Sequence, residues 1–213
     1  MAGKSSSLFS FATLMVVIAI CLSIICSPVT AQGVSKTGKK DGNALLSAAK
    51  KIPNGNYVFQ AYNSKKTLTL ISTGNLLAPR TSGQNEWAVK QHSGSKYFTI
   101  RANNKAGLPK CISTRWSFAS SGGFPDAAVM WQCEVDTPNI KYYGYDPIYP
   151  PKQMWLAIPD SHHKGYYKIV SASHLFDMTP NCISVNTISG GVKFTKCKID
   201  TNNTKLLWKL TKQ

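Results

Sequence analysis

The 213-residue sequence predicts an all-β fold, and three observations carry that prediction. From Ile52 onward, short alternating apolar stretches are separated by Gly, Pro, Asn and Ser, the pattern of half-buried strands joined by turns. The same order of features then occurs three times, each copy ending on a tryptophan: Trp87, Trp155 and Trp208. Cysteines fall at matching places in the second and third copies. Three units of about four strands each close naturally as a β-trefoil, in which Trp and Ile from every unit meet in one core.

Composition bounds the chemistry. Hydrophobic residues make up 43% and charged residues 16%, so the chain can bury a core and is not a disordered polyampholyte. Lys and Arg number 25 against 9 Asp and Glu, a net charge of +16. So few carboxylates disfavour paired-carboxylate catalysis and oxygen-ligand metal cages. The excess of base points to anionic surroundings.

The N-terminus reads as a secretory signal peptide over residues 1–31. Lys4 begins it, an apolar run extends from Leu8 to Cys26, and Val29-Thr30-Ala31 supplies the small residues of a cleavage site before Gln32. A membrane anchor is the alternative, because the run is about as long as a spanning helix. The Pro28 break and the Val-x-Ala site favour cleavage. No later apolar stretch is comparable, so no membrane span is expected after cleavage. Cleavage removes one base and no acid, so the excess of base belongs to the mature, secreted chain. Residues 32–51 are basic and Gly- and Ser-containing, and are expected as a flexible extension with a turn or two of helix. Lys50-Lys51 also offers a dibasic site for removing this segment as a propeptide. The trefoil domain is expected over residues 52–213.

The copies align as follows. The first runs Tyr57-Val58-Phe59, Leu70-Ile71-Ser72, Trp87; the second Tyr97 to Ile100, Cys111-Ile112-Ser113, Trp155; the third Tyr166 to Ile169, Cys182-Ile183-Ser184, Trp208. Phe59 to Leu70 and Ile100 to Cys111 are both eleven residues, and Ile169 to Cys182 is thirteen. Each Trp begins another alternating pair, such as Trp87-Ala88-Val89.

Loss of Cys21 and Cys26 with the signal peptide leaves Cys111, Cys133, Cys182 and Cys197, an even set that reads as two disulfides in an oxidising compartment. Three connectivities are open. The first copy lacks both cysteines, as pairing within a copy requires, so Cys111–Cys133 and Cys182–Cys197 are chosen. Each would contribute roughly 3 kcal/mol on the chain-entropy estimate, which depends on the model of the unfolded state.

Three copies with Cys-apolar-x, a second Cys on the following strand, and Gln-x-Trp near the end resemble the ricin B-type lectin family over about residues 52–211. Gln153-Met154-Trp155 is the best single match; Asn85-Glu86-Trp87 and Leu206-Leu207-Trp208 keep only the Trp. The resemblance implies carbohydrate binding without catalysis. Members that bind galactose-type sugars carry an Asp directly after Cys-apolar, where this chain has Ser72, Ser113 and Ser184. They also carry an aromatic stacking platform two places before the second Cys. Trp131 occupies that place in the second copy and Thr195 in the third, and the first has nothing alignable. Lys152 and Lys205 replace the Asn expected before Gln-x-Trp. The candidate carbohydrate site is therefore Trp131, Ser113 and Gln153. Tyr142 and Tyr143 join it from a Pro- and Tyr-rich loop over residues 138–151, the kind of long loop that often binds. The alternative is that these tyrosines pack down and cover Trp131.

Other chemistry finds no support in the sequence. His92, His162, His163 and His174 sit in no nucleophile motif, and His162-His163 reads as a solvated turn rather than a metal site. The aspartates, Asp160 among them, are turn residues. No catalytic residue, metal site or cofactor is expected. Lys196 and Lys198 alternate around Cys197 as two positions on one face of a strand and, with Lys193 and Lys205, form a basic patch for an acidic glycan, an anionic membrane surface or nucleic acid. Secretion argues against nucleic acid. Asn202-Asn203-Thr204 is an N-glycosylation sequon, hence a surface loop. The expected function is a secreted, non-enzymatic, lectin-like protein binding a glycan or glycoprotein, including anionic ones. The alternative is a trefoil that binds an extracellular protein target as a protease inhibitor or effector.

Overall fold

The computed structural model describes residues 36–71, 77–92, 94–102, 110–114, 128–133, 135, 150–175, 180–185 and 191–213. The expected signal peptide lies outside them.

Among the described residues one helix precedes the strands: α1, Lys36–Ala48. The strands are β1 Gly55–Ala61, β2 Thr67–Leu70, β3 Leu77–Arg80, β4 Glu86–Gln91, β5 Phe98–Ala102, β6 Lys110–Thr114, β7 Ala128–Gln132, β8 Trp155–Pro159, β9 Tyr166–Ser171, β10 Asn181–Val185, β11 Val192–Lys196 and β12 Leu207–Lys212. Six of them, β1, β4, β5, β8, β9 and β12, pair in that order, and β12 returns to β1, which closes a barrel. The other six form three antiparallel hairpins, β2–β3, β6–β7 and β10–β11. Each hairpin bonds to the barrel strand before it, through Gln60↔Thr67, Arg101↔Cys111 and Val170↔Cys182. The architecture is all-β and trefoil-like. Closure removes the barrel's edges, so the backbone of these six strands is paired on both sides.

Three tryptophans tie the hairpins to the barrel. Trp87 Nε1 donates to Leu68 O at 2.9 Å, Trp155 Nε1 to Ile112 O at 3.2 Å, and Trp208 Nε1 to Ile183 O at 3.1 Å. All three indoles are buried, and buried indole N–H groups need such partners. Opposite each stands a small residue on the next barrel strand: Ala102, Ser171 and Ala61. A larger side chain there would crowd the indole. Around these rings Phe59, Ile100, Ile112, Ile169 and Ile183 form the main core.

Both disulfides join a hairpin strand to the residue just after its partner. Cys111–Cys133 has a Cα separation of 4.9 Å and Cys182–Cys197 one of 5.7 Å, the connectivity chosen from the sequence.

Two expectations are corrected here. The spacing that placed Leu70 against Cys111 is three residues out. The barrel pairings put Thr67, Cys111 and Cys182 in the same place, and the indole bonds put Leu68, Ile112 and Ile183 in the same place. Thr67 therefore replaces the leading cysteine and Thr69, not Ser72, stands where Ser113 and Ser184 do. The second correction concerns the N-terminal extension. Lys36–Ala48 is a 13-residue helix, not a turn or two. It is held by apolar contact: Leu45 and Ala49, four apart and so on one face, are buried against Leu156, Ile158, Val170, Leu175 and Leu206. Lys96 Nζ reaches the carbonyls of Leu46 at 3.1 Å and Ser47 at 2.8 Å, a cation on the negative end of the helix. Lys50 N then bonds Ala157 O at 2.9 Å and fastens the chain to β8.

The tryptophan bonds yield a stability test. Trp155→Phe leaves the Ile112 carbonyl without a donor in a dry core, which costs about 1–3 kcal/mol. Urea unfolding should show a lower midpoint at unchanged slope; an unaltered midpoint contradicts the assigned role.

Candidate functional site

The outer face of hairpin β6–β7 carries the sequence-derived residues. Trp131 lies directly across from Cys111, so the two share a face of the hairpin, and Ser113 follows on that face two residues along β6. Trp131 is 42% exposed, although the disulfide beneath it is buried. The indole therefore stands on a rigid apolar base with part of its surface in water. Its contrast with Trp87, Trp155 and Trp208, each at most 1% exposed, separates a surface tryptophan from the structural ones.

Ser113 is only 6% exposed and its hydroxyl donates to Thr114 O at 3.2 Å, so the serine floors the face rather than reaching out from it. Gln153 is fully buried at the end of a short 3-10 helix, Pro150–Gln153. Its amide donates to Gln132 O at 2.7 Å, which clamps the approach to Trp155 onto the strand that carries Trp131. Tyr142 and Tyr143 lie outside the described residues. Asn202 is exposed, and Asn203 beside it accepts from Lys205 N at 3.1 Å to cap the short 3-10 helix Thr204–Leu206.

The hairpins differ at the place that Trp131 holds. Across from Cys182 stands Thr195, whose hydroxyl lies 2.6 Å from Ser184 Oγ. Ser184 already donates to Lys193 O at 3.1 Å, so Thr195 is the donor of this bond. Across from Thr67 stands Arg80, which is exposed. Sequence comparison missed Arg80 because the strand register, not the spacing, identifies it. Lys198 lies beyond the end of β11, so it does not share a strand face with Lys196.

A second cluster sits at the β8–β9 turn, where Ser161, His162, Lys164 and Gly165 are exposed as a solvated turn requires, while Asp160 is buried and does more than shape the turn. Asp160 Oδ2 accepts from the backbone of His162 at 3.1 Å and of His163 at 3.0 Å, which is turn chemistry. The same oxygen meets His163 Nδ1 at 2.8 Å. Lys168 Nζ, fully buried like the Asp160 side chain, stands 3.1 Å from Oδ1 as an ion contact. Lys168 also donates to Ile199 O at 2.8 Å and anchors the 198–200 turn. Burial pushes the Asp160 carboxyl up, but hydrogen bonds from His163 and Lys168, the Lys168 charge and the His162 amide outweigh it, so its pKa lies below the ordinary carboxylate value. Tyr62 packs edge-on against His163 and Tyr166, with centroids at 4.7 and 4.9 Å. The group is a buried ion pair with a half-exposed aromatic cover, and it holds no nucleophile. Among the described residues no three His, Cys, Asp or Glu side chains group to hold a metal.

No protein-family model matches the sequence, and no curated protein matches it significantly. Solved structures do match in fold. Cry35Ab1 is similar over 75% of this chain and 36% of that one, at 12% identity and a TM-score of 0.52. The cytolethal distending toxin of Actinobacillus actinomycetemcomitans is similar over 74% and 91%, at 14% identity and a TM-score of 0.50. A ricin B-like lectin of Macrolepiota procera, in complex with lactose, matches over 77% and 100%, at 12% identity and a TM-score of 0.48. The chain spans about a third of the length of Cry35Ab1. At such identities the first two likenesses concern the fold.

The ion pair yields a pH test. Because the folded pKa of Asp160 is lowered, its stabilisation is present above the unfolded value, about 3.9, and is lost as pH falls through the folded value. Asp160→Asn leaves Lys168 buried without its partner and should cost about 3–5 kcal/mol at neutral pH. In denaturant unfolding followed from neutral pH downward, the gap between wild type and variant should close below about pH 4. A gap that does not depend on pH refutes the pairing.

Proposed function

We propose that this is a secreted, non-enzymatic glycan-binding protein, a divergent ricin B-type β-trefoil of three four-stranded repeats behind a signal peptide at residues 1–31. The observation that carries the reading is the large exposed face of Trp131 on a hairpin pinned by a disulfide and by Trp155. An aromatic surface of this kind stacks on the apolar face of a sugar ring and loses little conformational entropy, because its base is already fixed. Ser113 and Gln153 act as positioning residues, since both are buried and bonded to the backbone. Tyr142 and Tyr143 are assigned to the same glycan site. Asn202 carries an N-linked glycan.

The absence of carboxylates supports a second reading. Thr69, Ser113 and Ser184 stand where sugar-binding members of the family place an Asp, so a protein target recognised through the hairpin faces is the alternative.

A glycan array with wild type and Trp131→Ala separates the two. The glycan reading predicts binding to at least one neutral or acidic glycan and a loss of at least about 2 kcal/mol, roughly thirtyfold, in the variant at unchanged unfolding midpoint. Silence of wild type across the array, with capture of a protease or other extracellular protein instead, favours the alternative.

A further inference from the structure

The hydrogen-bond register places Arg80 in the first hairpin where Trp131 stands in the second, and we propose that this hairpin is an anion-binding subsite for an acidic group of the glycan, a sulfate ester or a uronate carboxylate. The proposal rests on the glycan reading above and adds the chemistry of the ligand. Three observations carry it. Arg80 is exposed, and among the described residues neither an ion pair nor a hydrogen bond engages its guanidinium; its backbone carbonyl accepts from Thr67 Oγ1 at 3.3 Å. Lys65 and Lys66, both exposed, lead directly into Thr67, the residue across from Arg80, so three cations gather at one end of the hairpin. No Asp or Glu occurs between Asp41 and Glu86, so no carboxylate on this hairpin competes with an incoming anion.

The floor of the subsite is built. Asn85 Nδ2 donates to Thr67 Oγ1 at 3.1 Å, Thr69 Oγ1 donates to Thr67 O at 2.9 Å, and the Thr67 and Thr69 hydroxyls lie 3.5 Å apart. Gly83 crosses close over Thr69, where an added Cβ would stand 2.8 Å from the Thr69 methyl, so the segment after Arg80 is held tightly on this face. Thr67 is thus saturated by its neighbours, and among the described residues the planar fork of Arg80 remains the free donor set. A guanidinium matches two oxygens of a sulfate or carboxylate at once, which an ammonium does not. Coulombic attraction from Lys65 and Lys66 adds to the encounter and weakens with salt.

Isothermal titration with the full secreted chain tests this with four probes: a sulfated heparin oligosaccharide, an oligogalacturonate, a neutral galactose oligomer, and an oligonucleotide of matched charge. Wild type should bind at least one acidic glycan more tightly than the neutral oligomer, with affinity falling as salt rises. The sulfated and uronate arms tell which anion is the source. Arg80→Gln should lose about tenfold on that acidic glycan and nothing on the neutral one, and Arg80→Lys should fall between. Trp131→Ala should weaken both glycans, so loss of acidic preference in Arg80→Gln with neutral binding intact isolates the subsite from the platform. Acidic binding unchanged in Arg80→Gln overturns the proposal while leaving the Trp131 reading standing. Equal binding of the oligonucleotide, lost equally in Arg80→Gln, overturns it in favour of general polyanion attraction. No binding of any glycan overturns both readings.

Discussion

The hydrogen bond from a buried indole to a hairpin carbonyl is the constraint on which the rest of the structure depends. It is made three times, by Trp87, Trp155 and Trp208, and each bond crosses from a barrel strand to the strand of a hairpin. A hairpin alone is marginally stable in water, and these three attach by a single paired position to the barrel strand before them. The indole supplies the missing grip. It buries a large apolar surface and satisfies a carbonyl that would otherwise be stranded in the core. Slippage of a hairpin by one residue would break that bond and turn its outer face inward.

Because the inner face is held in this uniform way, the outer faces are free to differ, and recognition can be built on that difference. At one register position the chain presents Arg80, Trp131 and Thr195. Thr195 is tied up with Ser184, whereas Arg80 and Trp131 reach solvent. On the proposed reading Trp131 supplies an aromatic platform on one hairpin and Arg80 a cation on another. The frame is reinforced where Trp131 stands, by Cys111–Cys133 beneath it and by the Gln153 clamp beside it.

The parts of the fold legible in the sequence are those that repeat with strong chemistry. Three tryptophans and two cysteine pairs announce the barrel and the disulfides, whereas the sequence left open whether Trp131, 42% exposed in the structure, would be covered. The first copy was harder to read because it lacks cysteines and holds two similar apolar triplets, Thr67-Leu68-Thr69 and Leu70-Ile71-Ser72. Spacing favoured the second triplet, while the barrel pairing and the Trp87 bond use the first; a shorter β1–β2 turn makes up the difference. With that register Arg80 takes its place, and no local motif would have found it. The helix Lys36–Ala48 was masked by Gly38 and Gly42, which weaken helix propensity. Its stability comes from burying Leu45 and Ala49 on the barrel, a tertiary gain that composition does not display. Asp160 looked like an ordinary turn residue because its partner Lys168 lies on the far side of the turn, and burial of a lysine is rarely expected.

The most direct measurement of the central claim is an NMR titration that follows the indole N–H signals of the five tryptophans as a bound glycan is added. The Trp131 signal should move with ligand while those of Trp87, Trp155 and Trp208 stay fixed and protected from exchange. A Trp131 signal that ignores saturating ligand, or buried indoles that shift with it, would contradict the division between a structural inner face and a recognising outer one.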